Sequence, residues 1–297
     1  MNSGKILRSR LGENSAIVAP GAYNALTAKL IERLGFEVVY ATGAGIANSI
    51  LGLPDVGLMS MGEVLSQVNY IVNATSLPVI ADIDTGYGTA VNVFRTVREF
   101  QKTGVAALQI EDQVVPKRCG HFQGKSVIPC GEMVQKLRAA VDARGDGDLL
   151  LIARTDARAV EGIDSAIERA ERYFEAGADL TFVEAPSSED ELRTIGQRLS
   201  GLAPQVANMM EGGVTPLVPK QQLEDMGFKI IIYANSALRA SLKQMNHVLG
   251  HLHDDGWTAT VVGDLVTKAE RDSITGLPKM EELEKRYAVS NERGVAE

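Results

Sequence analysis

Short apolar segments alternate with longer amphipathic segments along most of this chain. Eight of the short segments are continuous runs of β-branched and aliphatic residues, a pattern typical of parallel strands buried on both faces. Between them apolar residues recur at helical spacing, and several of these segments end at a glycine, a common helix stop. The predicted strands are 16–19, 38–41, 79–84, 106–111, 149–154, 180–184, 205–208 and 229–233. The predicted helices are 25–34, 61–72, 91–102, 133–143, 163–176, 189–199 and 221–226.

Eight strand–helix units within roughly 250 residues predict a (β/α)8 TIM-type barrel. The alternative is an open, doubly wound sheet, which usually carries a glycine-rich dinucleotide turn after its first strand. Here the turn at 20–23 reads Pro-Gly-Ala-Tyr, and the Thr-Gly-Ala-Gly run at 42–45 lacks the third glycine of that motif. No Pro-, Ser- or Gly-rich linker divides the chain. We therefore expect a single domain, 1–297, in which residues from about 237 to 297 form additional C-terminal helices.

The composition narrows the possible classes of function. A net charge of −8 argues against binding to nucleic acid, which needs a basic face. No apolar stretch approaches the roughly 20 residues of a membrane-spanning helix, and residues 1–10 contain no apolar signal core. Two cysteines are too few for a disulfide framework in a chain of 297 residues. We expect a reduced, cytoplasmic protein with no nucleic-acid or membrane partner.

In a barrel of this kind the functional residues lie at the C-terminal ends of the strands. Many polar side chains that close a predicted strand are carboxylates, which are costly to leave unpaired at the edge of a core. A group of them therefore indicates a cation or a reacting proton nearby. The rim residues are Tyr40, Asp82, Asp84, Glu111, Arg154, Asp156, Glu184, Asn208 and Tyr233.

Asp82, Asp84 and Glu111 are the candidate metal ligands. Asp82 and Asp84 are alternate residues of one predicted strand and would point to the same side, and Glu111 ends the next strand. Oxygen ligands suit Mg²⁺ or Mn²⁺, which usually keep several waters and are shared with anionic substrates. The alternative is a set of solvated carboxylates that cap the following helices.

Cys119 follows in a glycine-containing loop beside Lys117, Arg118 and His121. Nearby positive charge lowers the pKa of a thiol and makes it a usable acid or nucleophile. Taken alone, an inert small residue in a loop is the simpler interpretation.

Arg154 ends the fifth predicted strand. Its guanidinium suits bidentate capture of a carboxylate or phosphonate, and an ion pair with Glu184 or Asp156 is an equal alternative. The backbone amides at 42–45 can hold an oxyanion or a carboxylate, or form only a tight strand-to-helix turn. Asn208 is a candidate polar side chain of the same site.

Taken together, these residues closely resemble the isocitrate lyase / phosphoenolpyruvate mutase superfamily, from about residue 7 through 252. The most specific runs are Lys-Arg-Cys-Gly-His at 117–121 and Asp-Ile-Asp-Thr-Gly-Tyr-Gly at 82–88. The other matching runs are Tyr-Ala-Thr-Gly at 40–43, Gly-Leu-Pro-Asp at 52–55, Ile-Glu-Asp-Gln at 110–113, Ile-Ala-Arg-Thr-Asp-Ala at 152–157, Glu-Ala at 184–185 and Ala-Asn-Met at 207–209.

The resemblance implies a (β/α)8 barrel, Mg²⁺ dependence, and a homotetramer in which a C-terminal helix packs onto a neighbouring subunit. It implies that Asp82 binds the metal directly and that Asp84 and Glu111 bind it through water. It places Cys119 in a gating loop at about 113–126. The residues expected to bind a small carboxylate substrate are Thr42, Gly43, Ala44, Asp55, Gly120, Arg154, Glu184 and Asn208, and the catalytic candidates are Cys119, Tyr40, Arg154 and His121.

Cys119 distinguishes the branches of this superfamily, because lyases of isocitrate, methylisocitrate and dimethylmalate carry it and the phosphonopyruvate-forming mutases and phosphonopyruvate hydrolases lack it. Cleavage of a 2-hydroxy acid leaves an enolate that a loop thiol can protonate, and Tyr40 or a water on the metal is a candidate for the base. We therefore expect a Mg²⁺-dependent carbon–carbon lyase that releases pyruvate. Its substrate would be a small branched 2-hydroxy di- or tricarboxylate of the 2-methylisocitrate or 2,3-dimethylmalate type.

One segment departs from the lyase pattern. After the eighth predicted strand the chain reads Tyr-Ala-Asn-Ser at 233–236, where methylisocitrate-type lyases usually read Tyr-Pro-Leu-Ser. The Ala-Asn pair resembles the phosphonopyruvate branch, and carboxyphosphonoenolpyruvate mutase also carries the cysteine motif. The alternatives are therefore a phosphonomutase acting on a phosphoenolpyruvate derivative, and a hydrolase or decarboxylase of oxaloacetate.

Overall fold

The computed structural model describes residues 3–118, 120 and 124–288. Its strands are β1 Ile17–Ala22, β2 Val39–Ala41, β3 Val79–Asp82, β4 Ala107–Glu111, β5 Leu150–Thr155, β6 Leu180–Val183, β7 Gln205–Asn208 and β8 Phe228–Tyr233. They are parallel and follow one another around a closed barrel in chain order, with β8 paired to β1. Each carries an apolar run because helices cover one side of a barrel strand and the packed interior covers the other. The structure confirms the predicted (β/α)8 barrel.

The helices begin and end at signals that the sequence carries. They are α1 Ser3–Leu11, α2 Ala25–Arg33, α3 Gly43–Leu51, α4 Met61–Asn73, α5 Ala90–Gln101, α6 Cys130–Arg144, α7 Arg158–Glu161, α8 Ile163–Glu175, α9 Glu189–Leu199, α10 Lys220–Asp225, α11 Ser236–Asp255, α12 Lys268–Thr275 and α13 Leu277–Tyr287, with a 3-10 helix at Ala259–Asp264. A capping box between Ser60 and Glu63 opens α4. After α2 and α8, Gly35 and Gly177 take the left-handed conformation, with φ of 82° and 103°.

Helix α1 packs against the N-terminal end of the barrel. Leu7 is fully buried and belongs to the cluster that fills the barrel interior, together with Ile17 and Phe182. A methyl group on Gly4 would lie 2.1 Å from the carbonyl oxygen of Asp148, just before β5, so this close approach requires glycine. The N-terminal end is thus occupied, and the site is expected at the opposite end.

The chain divides into two compact units, Met1–Ala240 and Ser241–Glu297. The first contains the barrel, and the described part of the second is helical. Among the described residues, no helix combines the length and the apolar character that crossing a membrane requires. The organisation as one domain with a helical extension from about residue 237 stays a prediction.

Candidate active site

A cavity opens at the C-terminal end of the barrel, where the sequence predicts the site. Ten of the predicted site residues line it: Tyr40, Thr42, Ala44, Asp55, Asp82, Glu111, Gly120, Arg154, Glu184 and Asn208. Gly43 and Asp84 lie behind one wall, where they border a smaller cavity together with Asp82. Cys119 and His121 lie outside the described residues, and their catalytic roles stay predictions.

A turn brings Asp82 and Asp84 together, and the prediction that they are alternate residues of one strand is wrong. Strand β3 ends at Asp82, and Asp84 has a φ of 49°, which is uncommon for a residue with a side chain. The Asp84 amide donates a hydrogen bond to Asp82 Oδ1 at 3.1 Å, and the Glu111 amide donates to the Asp84 carbonyl at 2.9 Å. These bonds fix the turn, so the backbones of the three predicted metal ligands lie next to one another, although Asp84 does not continue the strand.

The ammonium group of Lys117 lies among these carboxylates. Its Nζ is 2.5 Å from Asp55 Oδ1 and 2.7 Å from Asp84 Oδ1, and Lys117 is only 5% exposed. Burial alone would lower the pKa of Lys117, but Asp84 and Asp55 outweigh burial and raise it well above its ordinary value. Burial raises the pKa of Asp84 to about 6, with Asp82 and Asp55 adding to the rise and Lys117 opposing it. Lys117 therefore neutralises only part of this negative charge.

Glu111 is the most strongly perturbed of the candidate ligands. Burial raises its pKa well above the ordinary value, and Arg154, with Nε 3.4 Å from Oε2, offsets burial only in part. Among the described residues, the buried Oε1 atom has no hydrogen-bond partner. A buried carboxylate oxygen without a partner is costly, so this oxygen is expected to face a cation or a water molecule when the site is in use.

The donor set fits a hard divalent cation. Among the described residues, the carboxylates that line the cavity or pair with its cations outnumber the cations. The carboxylates are Asp55, Asp82, Asp84, Glu111, Asp156 and Glu184, and the cations are Lys117, Arg118, Lys125 and Arg154. The excess of negative charge and the orphaned Glu111 oxygen are what a divalent ion would neutralise. No three acidic, His or Cys side chains within the described ranges form a ready-made metal cage, and Mg²⁺ does not need one because it keeps several waters. The assignment of Asp82, Asp84 and Glu111 as ligands stays a prediction.

Carboxylates surround the guanidinium group of Arg154. Its Nε and Nη2 donate to Asp156 at 2.9 and 3.1 Å, and Glu184 Oε2 lies 3.6 Å from Nη1. The guanidinium carbon is 5.4 Å from the ring centre of Phe182, a cation–π arrangement. The ion pairs that the sequence offered as the alternative role of Arg154 are thus present, and Arg154 still lines the cavity.

The corner between β2 and α3 borders the cavity through Thr42 and Ala44. Thr42 is the N-cap of α3, and its hydroxyl accepts a hydrogen bond from the Gly45 amide at 3.2 Å. The first amides of a helix have no partner within the helix, so those of Gly43 and Ala44 are donors suited to a carboxylate. A methyl group on Gly43 would lie 3.0 Å from Asp82 Oδ2, so this corner closely approaches the Asp82 carboxylate. The run at 42–45 is therefore a strand-to-helix turn, and its role in holding an oxyanion or a carboxylate stays a prediction.

Tyr40 is buried, and its hydroxyl donates a hydrogen bond to Gln109 Oε1 at 3.2 Å. Burial raises the pKa of Tyr40 well above its ordinary value, and Asp82 adds to the rise. This shift favours the protonated phenol, and the role of base that the sequence left open for Tyr40 stays a prediction. Nearby, Asn208 Nδ2 donates to Glu184 Oε1 at 3.3 Å and orients that carboxylate.

The cavity is also lined by residues that the sequence did not predict as site residues. Phe182 and Met210 line the cavity but look like ordinary core residues in the sequence. Asn235 also lines it, and its Oδ1 atom is buried without a hydrogen-bond partner among the described residues. For Asn235 a signal existed in the unusual Ala-Asn pair at 234–235. The contact of Lys117 with Asp55 had no signal because the two residues are far apart in the chain.

The sequence matches the phosphoenolpyruvate phosphomutase family over residues 7–253. The chain belongs to this family. It is 48% identical to the 2,3-dimethylmalate lyase of Eubacterium barkeri over 288 residues, which cover 97% of this chain and 99% of that protein. It is 46% identical to a 2-methylisocitrate lyase of Aeropyrum pernix over 273 residues, which cover 92% and 87% of the two chains.

Solved structures agree with this membership. A crystal structure of 2,3-dimethylmalate lyase, described as a PEP mutase/isocitrate lyase superfamily member, has a TM-score of 0.92 and 35% identity over 100% of this chain and 99% of that one. A phosphonopyruvate hydrolase in complex with oxalate and Mg²⁺ has a TM-score of 0.88 and 31% identity over 97% and 99% of the two chains. The comparisons confirm the superfamily resemblance and the prediction of an enzyme.

Proposed function

We propose that this protein is a Mg²⁺-dependent carbon–carbon lyase that cleaves a small branched 2-hydroxy di- or tricarboxylate to pyruvate and a second carboxylate. The similarity to two named lyases confirms the prediction of a carbon–carbon lyase enzyme. The Mg²⁺ dependence and a substrate of the 2-methylisocitrate or 2,3-dimethylmalate type are the proposed part. One observation carries this part: a single cavity is lined by an excess of carboxylates, a buried arginine and residues at the start of helix α3.

Each group has a task in this proposal. Asp82, with Asp84 and Glu111, would hold Mg²⁺, which when bound supplies positive charge that stabilises negative charge developing on substrate oxygens. Arg154 binds a substrate carboxylate by charge-assisted hydrogen bonds, and the amides of Gly43 and Ala44 hold its oxygens. The proposed roles of Asp55, Gly120, Glu184 and Asn208 are to shape the cavity around the substrate.

The bond changes define what the side chains must do. A base removes the proton of the 2-hydroxyl group, the bond between C2 and C3 breaks as the keto group of pyruvate forms, and the electron pair stays on C3. The thiol of Cys119 then gives its proton to C3, a role proposed from its basic neighbours in the sequence and from the resemblance. The Tyr40 hydroxyl donates its single proton to Gln109 Oε1, so its oxygen faces the substrate as a hydrogen-bond acceptor.

Two variants test the proposal against one control. Asp82→Ala is expected to abolish pyruvate release and to weaken Mn²⁺ binding measured by electron paramagnetic resonance. Cys119→Ser is expected to lower turnover by a factor of about 10² to 10⁴ and to leave metal binding unchanged. Asp164→Ala, whose side chain is 81% exposed, is the matched control and should change neither quantity. Normal turnover by Cys119→Ser, or activity of Asp82→Ala in chelator, would contradict the corresponding role.

The proposal includes three further expectations. Mn²⁺ is expected to replace Mg²⁺, because both are hard cations that accept oxygen ligands. A homotetramer and a cytoplasmic location stay predictions. If the branched hydroxy acids release no pyruvate, the alternative functions are phosphonate chemistry and oxaloacetate hydrolysis.

A further inference from the structure

Arg154 has more negative partners than one cation can satisfy. Asp156 takes two of its hydrogen bonds, at 2.9 and 3.1 Å, while Glu111 and Glu184 approach within 3.4 and 3.6 Å. All four side chains are at most 8% exposed, so water screens these charges little. Left to these partners alone, Arg154 would be more than neutralised and would attract a substrate carboxylate poorly.

A second buried cation shares the charge of Asp156. Lys125 Nζ lies 2.8 Å from Asp156 Oδ1 and also donates to the carbonyl oxygen of Gly120. The Lys125 side chain is only 2% exposed. Burial alone would raise the pKa of Asp156, but Arg154 and Lys125 lower it to about 2. Asp156 is therefore a full negative charge between two positive ones at neutral pH.

The backbone on both sides of this contact is fixed. The Val114 amide donates to the Ser126 carbonyl at 2.9 Å, and the Ile128 amide donates to the Asp112 carbonyl at 2.8 Å. These bonds hold the segment that carries Lys125 against the end of β4. The Asp156 amide in turn donates to Asp112 Oδ1 at 2.9 Å. The ion pair of Lys125 and Asp156 thus joins two anchored segments.

Gly120 lies directly against the arginine. A methyl group built on Gly120 would be 2.3 Å from Arg154 Nη2 and 2.7 Å from Glu184 Oε1. Because Lys125 holds the Gly120 carbonyl, it also fixes this backbone beside the guanidinium group.

We propose that Lys125 is a positioning residue for substrate binding, which acts through Asp156 to leave the charge of Arg154 available to a substrate carboxylate. The inference rests on the proposed function only in the role of Arg154 as the carboxylate-binding group. It predicts that the electrostatic balance of Lys125 and Asp156 matters more than the shape of either side chain.

The test is the binding of oxalate, a small dianion, to the Mg²⁺-saturated protein by titration calorimetry. Lys125→Met is expected to raise the Kd for oxalate about tenfold. The negative charge of Asp156 is then balanced by Arg154 alone, which leaves less of the positive charge of Arg154 for the ligand. Lys125→Arg is expected to stay within about threefold of the wild type, since it keeps the charge. The double variant Lys125→Met with Asp156→Asn removes both charges and is expected to recover most of the lost affinity.

Arg144→Met is the matched control, because it removes a cation from a partly buried ion pair with Asp179 at the opposite end of β5. It should leave the Kd for oxalate unchanged. Circular dichroism establishes that each variant folds. If Lys125→Met fails to fold, Lys125→Gln removes the charge while keeping a donor for the Gly120 carbonyl, and the same Kd change is expected.

An unchanged Kd for oxalate in Lys125→Met would overturn the inference and would not affect the lyase proposal. A further loss of affinity in the double variant would also overturn it, because a purely structural role predicts such a loss. A wild-type protein that binds oxalate, shows the expected series and cleaves no 2-hydroxy acid would overturn the lyase and leave the inference. A wild-type protein that does not bind oxalate would overturn the role of Arg154 and, with it, the inference.

Discussion

The substitution Tyr173→Phe removes one hydroxyl group from the buried polar cluster that supports the site. Tyr173 is fully buried, and its hydroxyl donates to Asp112 Oδ2 at 2.8 Å. Asp112 also accepts hydrogen bonds from the Thr155 hydroxyl at 2.7 Å and the Asp156 amide at 2.9 Å. Arg169 Nη1 lies 3.3 Å from the same carboxylate. The cluster therefore ties helix α8 to the ends of β4 and β5, next to Arg154.

The expected loss of stability follows from what remains after the change. A hydrogen bond to a charged group contributes about 1.5–3 kcal/mol, and Asp112 keeps its other partners in Tyr173→Phe, so the loss should fall in that range. Asp112→Ala leaves the Tyr173 hydroxyl, the Thr155 hydroxyl and the Asp156 amide without their acceptor, while Arg169 keeps its ion pair with Glu161. Because each buried donor left unsatisfied costs about 1–3 kcal/mol, the loss should be about 3–5 kcal/mol. For a protein of 297 residues, Tyr173→Phe should lower the Tm by roughly 2–5 °C.

Urea unfolding followed by circular dichroism measures both variants. Tyr70→Phe is the matched control, because Tyr70 is 61% exposed and its hydroxyl is not enclosed by a core. The free energy of unfolding should fall for Tyr173→Phe, fall further for Asp112→Ala, and stay unchanged for the control. A loss below about 0.5 kcal/mol for Tyr173→Phe would refute the claim that this hydroxyl is a strong, buried partner of Asp112.

Two other outcomes are expected. Gly120→Ala should raise the KM at least about tenfold with little change in Tm, because the methyl group would displace Arg154 and Glu184; an unchanged KM in steady-state kinetics would contradict this. Hydrogen bonds from Arg169 and Ser165 lower the pKa of Glu161 in the folded protein. Ionised Glu161 therefore adds to the free energy of unfolding above its unfolded pKa of roughly 4.3, and this contribution is lost as the pH falls through the lowered folded pKa. Glu161→Gln should therefore flatten the acid limb of the stability–pH curve, and a curve parallel to that of the wild type would argue against this contribution.

The barrel and the location of the site could be predicted from the sequence because both depend on local patterns. Barrel strands are largely apolar, and polar side chains gather where they end. The ends of β3 and β4 were therefore visible as Asp82 and Glu111, and Arg154 lies one residue before the end of β5. Parallel strands bring these ends to one rim without any further information.

The details that were missed depend on contacts between distant segments or on the backbone. Helix α3 was missed because the glycines at its start resemble a turn. Gly45 is needed there for close packing, since a methyl group on it would lie 2.6 Å from Thr42 Cγ2. Helix α1 is short and polar, and Leu7 secures it by burial that no local pattern reveals. The left-handed backbone of Asp84 follows from hydrogen bonds to its neighbours in the fold. The pairing of Lys125 with Asp156 joins residues 31 positions apart.

The measurement that tests the central claim most directly is pyruvate release from 2-methylisocitrate, 2,3-dimethylmalate and oxaloacetate, each with Mg²⁺ and with chelator. Our account predicts pyruvate from one of the two branched hydroxy acids, in the presence of Mg²⁺ and not in chelator. No pyruvate from either branched acid, or release that is unaffected by chelator, would contradict the account.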